Sequence, residues 1–362
     1  MTRLLYYVSD RLKGVDISGD REVKYRNVFS FYYAVLALRL FSFLWLYWTA
    51  AKYLQLQQRP TDIFWFDHTL VKWLMPSLPN APLFFGVLAL AVVCNGWQLI
   101  KSKSSFVLQL PLALSLLWLN LPQWGYGFLS HVNHTFLLAH LFLVFIPISK
   151  ASLQHPGQQL HKSINWFYAG ILFTYTLAGL WKIPSLLYKL LLNTTDVHWL
   201  HPHASLYNAF VSFRNYDLPF NLAPVFTDYA LFWQLSFLVV VYLQSASIVA
   251  AFRQELRPLM GVLLVLFHGM NMLVFQTYFV VATLVLLCLL LPYDVLLGNK
   301  FRKLAADLQT NFTEAQPAIS TLTPFECFRQ RVKSKSFYLS GILFLPGVRM
   351  LANGITRIAG KL

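Results

Sequence analysis

The stretch from Pro258 to Leu291, PLMGVLLVLFHGMNMLVFQTYFVVATLVLLCLLL, contains no aspartate, glutamate, lysine or arginine. As one helix it would run about 50 Å, against roughly 30 Å of bilayer hydrocarbon. A run that is apolar all round has no face to give to water, so it belongs in lipid or deep in a large core. Its length predicts two spans, starting near Pro258 and Thr277, turning near Gln276 and ending near Leu297.

Six further apolar runs start near Phe29, Pro82, Phe106, Val132, Ile164 and Tyr229. The fold expected is an all-α integral membrane protein, a bundle of about eight transmembrane helices. Composition agrees: charged residues are 12% of the chain, where a soluble domain carries roughly 25%. The 31 Phe, 18 Tyr and 11 Trp suit lipid-facing surfaces and interfacial belts. The net charge of +15 does not point to nucleic acid, because the basic residues sit in the ends and short connections and form no stripe on a polar surface. There they orient helices and meet anionic headgroups, so membrane lipids are the partner implied.

Those connections set a topology. Lys101 and Lys103, Lys150 and Lys162, Arg253 and Arg257, and Lys300, Arg302 and Lys303 all follow even-numbered runs. The positive-inside rule then predicts both termini in the cytoplasm. Residues 1–28 read as a cytoplasmic N-terminal segment, 29–298 as the membrane domain and 299–362 as a basic cytoplasmic tail. Within the tail, residues 309–324 read as a linker, and Phe337 to Ile358, interrupted by Pro346, Arg349 and Arg357, as an interfacial segment. The long aromatic connection from Pro184 to Asp228 reads as an external lid. Cys94, Cys288 and Cys327 show neither disulfide nor metal spacing.

Ionisable side chains inside a span cost free energy and are functional candidates by default. They are Arg39, His134, His140, Lys182 and His268. Lys182 closes its run just before Pro184, so it is either a snorkelling lysine reaching headgroups or a desolvated amine able to act as a base. His268 lies far from either end of its run, with Asn271 three residues on and on the same helical face. One internal hydrogen bond in a packed core would satisfy it; a water-filled cavity is the other reading. By the topology above, His134, Lys182 and His268 are expected to line one outward-facing cavity. His198, His201 and His203 lack an acidic or Cys companion, and no metal is expected. There is no Walker loop, dinucleotide turn or zinc-protease histidine pair.

Four local motifs, in order, carry a resemblance: Leu38-Arg-Leu-Phe41, Asn133-His-Thr-Phe-Leu137, Leu177-Ala-Gly-Leu-Trp-Lys182 and Phe267-His-Gly-Met-Asn271. The set resembles the vitamin K-dependent γ-carboxylase-like family, whose membrane region is called the HTTM domain. The resemblance implies that Lys182 is the base that deprotonates a reduced quinone such as vitamin K hydroquinone. It implies catalytic roles for His134 and His268 beside it, and substrate-binding roles for Arg39, Asn133 and Asn271. Trp181 stands where the family has the first lysine of a pair, and the large extramembrane domain of the animal carboxylases has no counterpart. Short bacterial relatives, including ones linked to peptide-toxin maturation, are nearer in size. A bacterial inner membrane and a small secreted or membrane peptide substrate are therefore expected. Two classes of function stay open: a quinol-using membrane enzyme acting on a peptide or lipid, or a non-enzymatic peptide-maturation, scaffold or transport protein.

Overall fold

A computed structural model describes residues 21–60, 73–126, 131–154, 157–192, 197–215, 217–220, 228–309, 338–348 and 350–352. Residues 1–20, the linker after 309, Cys327, Arg349 and Arg357 lie outside them. Among the described residues every regular element is helical, and the only β-type pairing is an isolated bridge between Lys103 and Ser149. The main helices are α1 (Arg21–Leu56), α2 (Ala81–Ile100), α3 (Phe106–Gly125), α4 (His134–Leu143) and α5 (Gln158–Leu191). They continue with α6 (Ala204–Asn215), α7 (Ala230–Ala246), α8 (Arg257–Phe275), α9 (Val280–Leu290) and α10 (Gly298–Gln309).

Each of the eight apolar runs carries one of these helices. Five of them, α1, α2, α3, α5 and α8, are long and apolar enough to cross a membrane. The other three, α4, α7 and α9, are apolar but only 10–17 residues long. Boundaries depart from expectation in three places. First, α5 does not stop at Lys182 but runs through Pro184 to Leu191; a proline inside a helix removes one donor and leaves the flanking turns able to continue. Second, α4 is ten residues, about 15 Å, too short to span by itself. Third, the expected lid contains the helix α6. The turn near Gln276 is found as expected: Gln276 adopts a left-handed conformation with φ 50° and ends α8, its N–H donating to the Asn271 carbonyl.

The described residues group into two compact units: 21–167 with 280–305, and 168–279 with those after 305. In the first, α1 is the central element, packing on α2, α3 and α9. Its buried face runs through Phe31, Ala34, Val35, Leu38, Trp45 and Tyr53, and Tyr53 stacks on Phe84 of α2 with ring centres 3.7 Å apart. Near its start, Arg26 pairs at 2.5 Å with the buried Asp294, which also accepts from Ser30 at 3.1 Å. In the second unit α5 packs closely on α7: a Cβ on Gly179 would lie 2.6 Å from the Ser245 nitrogen, so only glycine allows the approach. The α6 helix buries Ala209 against Trp233 of α7 and Val274 of α8. The short 3-10 segment Leu339–Phe344 packs on the turn Gln254–Leu256, with Gly341 against the Glu255 backbone and Phe344 under Arg253 at 4.2 Å.

Candidate functional site

Gly179 determines where Lys182 points. The close contact brings Thr176 within 2.9 Å of Ser247 and sets Gln244 of α7 opposite the next turn of α5. There the Lys182 Nζ donates to Gln244 Oε1 at 2.7 Å and to the Ala178 carbonyl at 3.1 Å. The Trp199 ring lies over the amine, 5.6 Å away. Three contacts hold Trp199 there: its ring meets Phe237 at 5.2 Å, Gln234 donates to the Leu200 carbonyl, and Lys189 donates to the Val197 carbonyl. Lys182 is thus half-buried between two helices and an indole, and no carboxylate pairs with it among the described residues. The neighbouring Trp181 is 74% exposed, so the two adjacent side chains divide, one inward and one outward. The Ser245 hydroxyl, on the same turn as Gln244, is buried without a hydrogen-bond partner.

His268 is 4% exposed and its ring stacks on Phe279, centres 5.0 Å apart. Its Nε2 lies 3.3 Å from the Tyr175 hydroxyl of α5. Its polar partner is therefore Tyr175, and Asn271 instead donates back to the Phe267 carbonyl of its own helix. Tyr175 is seven residues before Lys182 on the same face of α5, about 10 Å along the axis. Lys182 and His268 thus face the same side of α5 with separate partners, and no sequence motif singles out Tyr175, Gln244 or Trp199 as those partners. Their signal was available only as helix-face spacing between partners far apart in the chain.

His134 and Asn133 belong to the other unit. The His134 ring meets Trp124 edge-on at 5.8 Å. Asn133, at the start of α4, accepts from the Trp45 indole at 3.2 Å and donates to Asn120 Oδ1 at 2.7 Å. Arg39, 1% exposed, is enclosed by neutral acceptors. Its Nη2 reaches Gln98 Oε1 at 2.9 Å, Ser104 Oγ at 3.1 Å and Gln109 Oε1 at 3.1 Å, and its Nη1 reaches Asn95 Oδ1 at 3.4 Å. The same Gln109 gives its amide hydrogens to the His140 carbonyl at 2.8 Å and to His140 Nδ1 at 3.3 Å. His140 Nε2 then faces Ser42 Oγ at 2.9 Å, whose own proton goes to the Leu38 carbonyl. This assigns His140 as the neutral tautomer with the proton on Nε2, a satisfied core histidine. Arg39 ties α1 to the α2–α3 hairpin and is fully engaged in doing so.

The rings of His198, His201 and His203 lie 5.7–6.0 Å apart in succession. Among the described residues no group of three His, Cys, Asp or Glu side chains is arranged to hold a metal. A comparison of the chain with protein families, characterised proteins and solved structures finds no match.

Proposed function

We propose that the chain is a membrane-embedded enzyme of the γ-carboxylase-like, HTTM kind, with Lys182 as its base and a lipid-soluble quinol as its co-substrate. A small secreted or membrane peptide, or a lipid, is the molecule modified. The observation that carries this reading is the direction of the Lys182 amine. A snorkelling lysine would extend to headgroups; here the amine turns inward to Gln244 and the Ala178 carbonyl beneath Trp199. An amine held by neutral acceptors in a desolvated place can take a proton at Nζ from an acid brought against it. Gln244 and the Ala178 carbonyl orient it, and Trp199 keeps water away.

The residues around Lys182 fit a planar quinol. Trp199 offers a flat ring beside the amine, on which a planar ring can stack. When bound, a reduced quinone such as vitamin K hydroquinone supplies an acidic hydroxyl and the reducing equivalents for an oxygenation. His268, held by Tyr175, stiffens the face of α5 two turns away. The finer topology belongs to the same proposal: eight crossings, with α4, α7 and α9 completed by flanking residues, both termini cytoplasmic, and a bacterial inner membrane as the setting.

The test is oxygen uptake by the full chain in nanodiscs supplied with a naphthohydroquinone. Lys182→Ala should lower uptake at least about a hundredfold while thermal unfolding stays near wild type, since a positioned base contributes about 10²–10⁴-fold. Lys182→Arg should fail as well, because a guanidinium cannot act as a base near neutral pH. Wild-type function in Lys182→Arg would mean that the position needs only charge. The non-enzymatic peptide-maturation, scaffold or transport reading would then replace this one.

A further inference from the structure

The turn between α2 and α3 has a fixed shape and carries two lysines, Lys101 and Lys103. Ser102 takes a left-handed conformation with φ 48°, and the Lys103 N–H donates to the Gln98 carbonyl at 3.1 Å. Ser104 turns its hydroxyl to Arg39 at 3.1 Å, while its N–H donates to the Ile148 carbonyl at 2.7 Å. The bridge between Lys103 and Ser149 completes the join. Bridge partners stand about 5 Å apart at their α-carbons. Lys103 and Lys150, the residue after Ser149, are therefore close neighbours on adjoining turns.

From His68 to Thr195 the chain has no aspartate or glutamate. Lys101, Lys103 and Lys150 are exposed, and none of them forms an ion pair among the described residues. Lys101 lies over the Trp97 ring at 5.3 Å. The amines of Lys103 and Lys150 meet no acceptor among the described residues. Other cations of this unit are engaged: Arg26 by Asp294, Arg39 by its amides, and Arg302 by the Gly298 carbonyl and Asn299. Like charges set side by side repel, yet here a backbone bridge and a buried arginine hold them together. The surface flanking these turns is apolar and exposed, with Trp97 and Ile100 at the end of α2, Phe106 and Val107 at the start of α3, and Phe145 four residues before Ser149.

We infer that Lys101, Lys103 and Lys150 form a surface site for the headgroup of one anionic phospholipid, its phosphate between Lys103 and Lys150. The acyl chains meet the exposed apolar side chains that flank the two turns. An anion in water would use the lysines and leave that apolar rim unmatched, and a neutral lipid would do the reverse. The site is narrower than the general attraction of basic connections to headgroups, because its lysines are pre-positioned by the bridge and by the Arg39 cage. Less ordering is then lost on binding than at lysines on a free loop. The inference stands on the α1 unit alone. It holds for either orientation of the chain in the membrane, and whether or not Lys182 acts as a base.

The experiment uses the full chain in phosphatidylcholine nanodiscs doped with phosphatidylglycerol that carries a photoactivatable diazirine beside its headgroup. Mass spectrometry then locates the labelled peptides. In wild type the label should concentrate on Trp97–Val107 and Phe145–Ser152, and unlabelled phosphatidylglycerol should displace it. Lys103→Gln with Lys150→Gln should lower labelling there about twentyfold, near fivefold for each charge lost beside an anionic headgroup. Lys300→Gln with Lys303→Gln removes the same charge from α10 and should leave it within about twofold. All four lysines are exposed, so both pairs should unfold near the wild-type temperature. Equal losses in the two pairs would overturn the inference, leaving general charge attraction only. So would wild-type label spread evenly over the basic connections, a result that needs no variant to fold. Displacement by soluble glycerol 3-phosphate as readily as by the lipid would also overturn it, since a bare phosphate would then suffice.

Discussion

A β-carbon at position 179 would meet the Ser245 nitrogen at 2.6 Å and the Gln244 β-carbon at 2.8 Å. Backbone cannot yield as a flexible side chain can, so Gly179→Ala should push α5 and α7 apart and draw Gln244 from Lys182. The expected result is a loss of about 1–3 kcal/mol of stability on thermal unfolding and a fall in oxygen uptake of the same order as Lys182→Ala. Arg39 makes a second prediction. Arg39→Met would leave the acceptors on Gln98, Ser104 and Gln109 without their donor, at about 1–3 kcal/mol for each one left buried. The variant should be recovered in low yield with a sharply lowered unfolding temperature. That Arg39, Lys182 and His268 sit within apolar runs was legible in the sequence, because an ionisable group in such a run stands out by itself. Their partners were not. Gln244 is 62 positions from Lys182 and Tyr175 93 from His268, and neither polar residue is costly enough in a span to attract notice.

At the scale of elements, the runs were legible because lipid demands unbroken apolar surface, and their ends were not. A proline reads as a stop in sequence, yet α5 passes Pro184 by two turns. The C-terminal segment is a second case. Arg349 and Arg357 suggested an interfacial segment; its described part holds a 3-10 turn seated on Gln254–Leu256, with the Tyr242 hydroxyl donating to the Pro346 carbonyl at 2.6 Å, a seat that hydropathy does not show. A Cβ on Gly341 would stand 2.5 Å from the Glu255 backbone. Gly341→Val should therefore unseat the segment, and truncation after Gln309 should have the same effect. Both should raise hydrogen exchange at Gln254–Leu256 and lower the unfolding temperature by several degrees, since removing about 1 kcal/mol moves a domain by about 2–8 °C. Unchanged exchange in both would mean that the seat contributes nothing.

The whole molecule tests the topology. If both termini are cytoplasmic, single cysteines introduced at Ser102 and Ser149 should react only with membrane-permeant maleimide. One at His203 should react with an impermeant reagent in intact cells. Labelling of Ser102→Cys from outside would invert the arrangement. The bridge between Lys103 and Ser149 and the bond from the Ser104 nitrogen to the Ile148 carbonyl at 2.7 Å keep these two turns side by side. They must consequently report the same side, which makes the pair an internal control. The all-helical membrane class was legible from composition alone. The three short helices were not, because hydropathy measures how apolar a run is and not where its backbone leaves the helix.

The neutral cage around Arg39 also constrains biogenesis. When α1 leaves the ribosome its guanidinium has no acceptors, for they lie 56 to 70 positions downstream. An arginine near the centre of a lone helix disfavours partition from the translocon into lipid by about 2.5–3.5 kcal/mol. The first helix should thus linger at the lateral gate, lightly held, until the α2–α3 hairpin arrives to enclose the charge. Nascent chains stalled just before and just after Gln109 clears the insertion machinery should differ in pulling force, the step vanishing in Arg39→Leu.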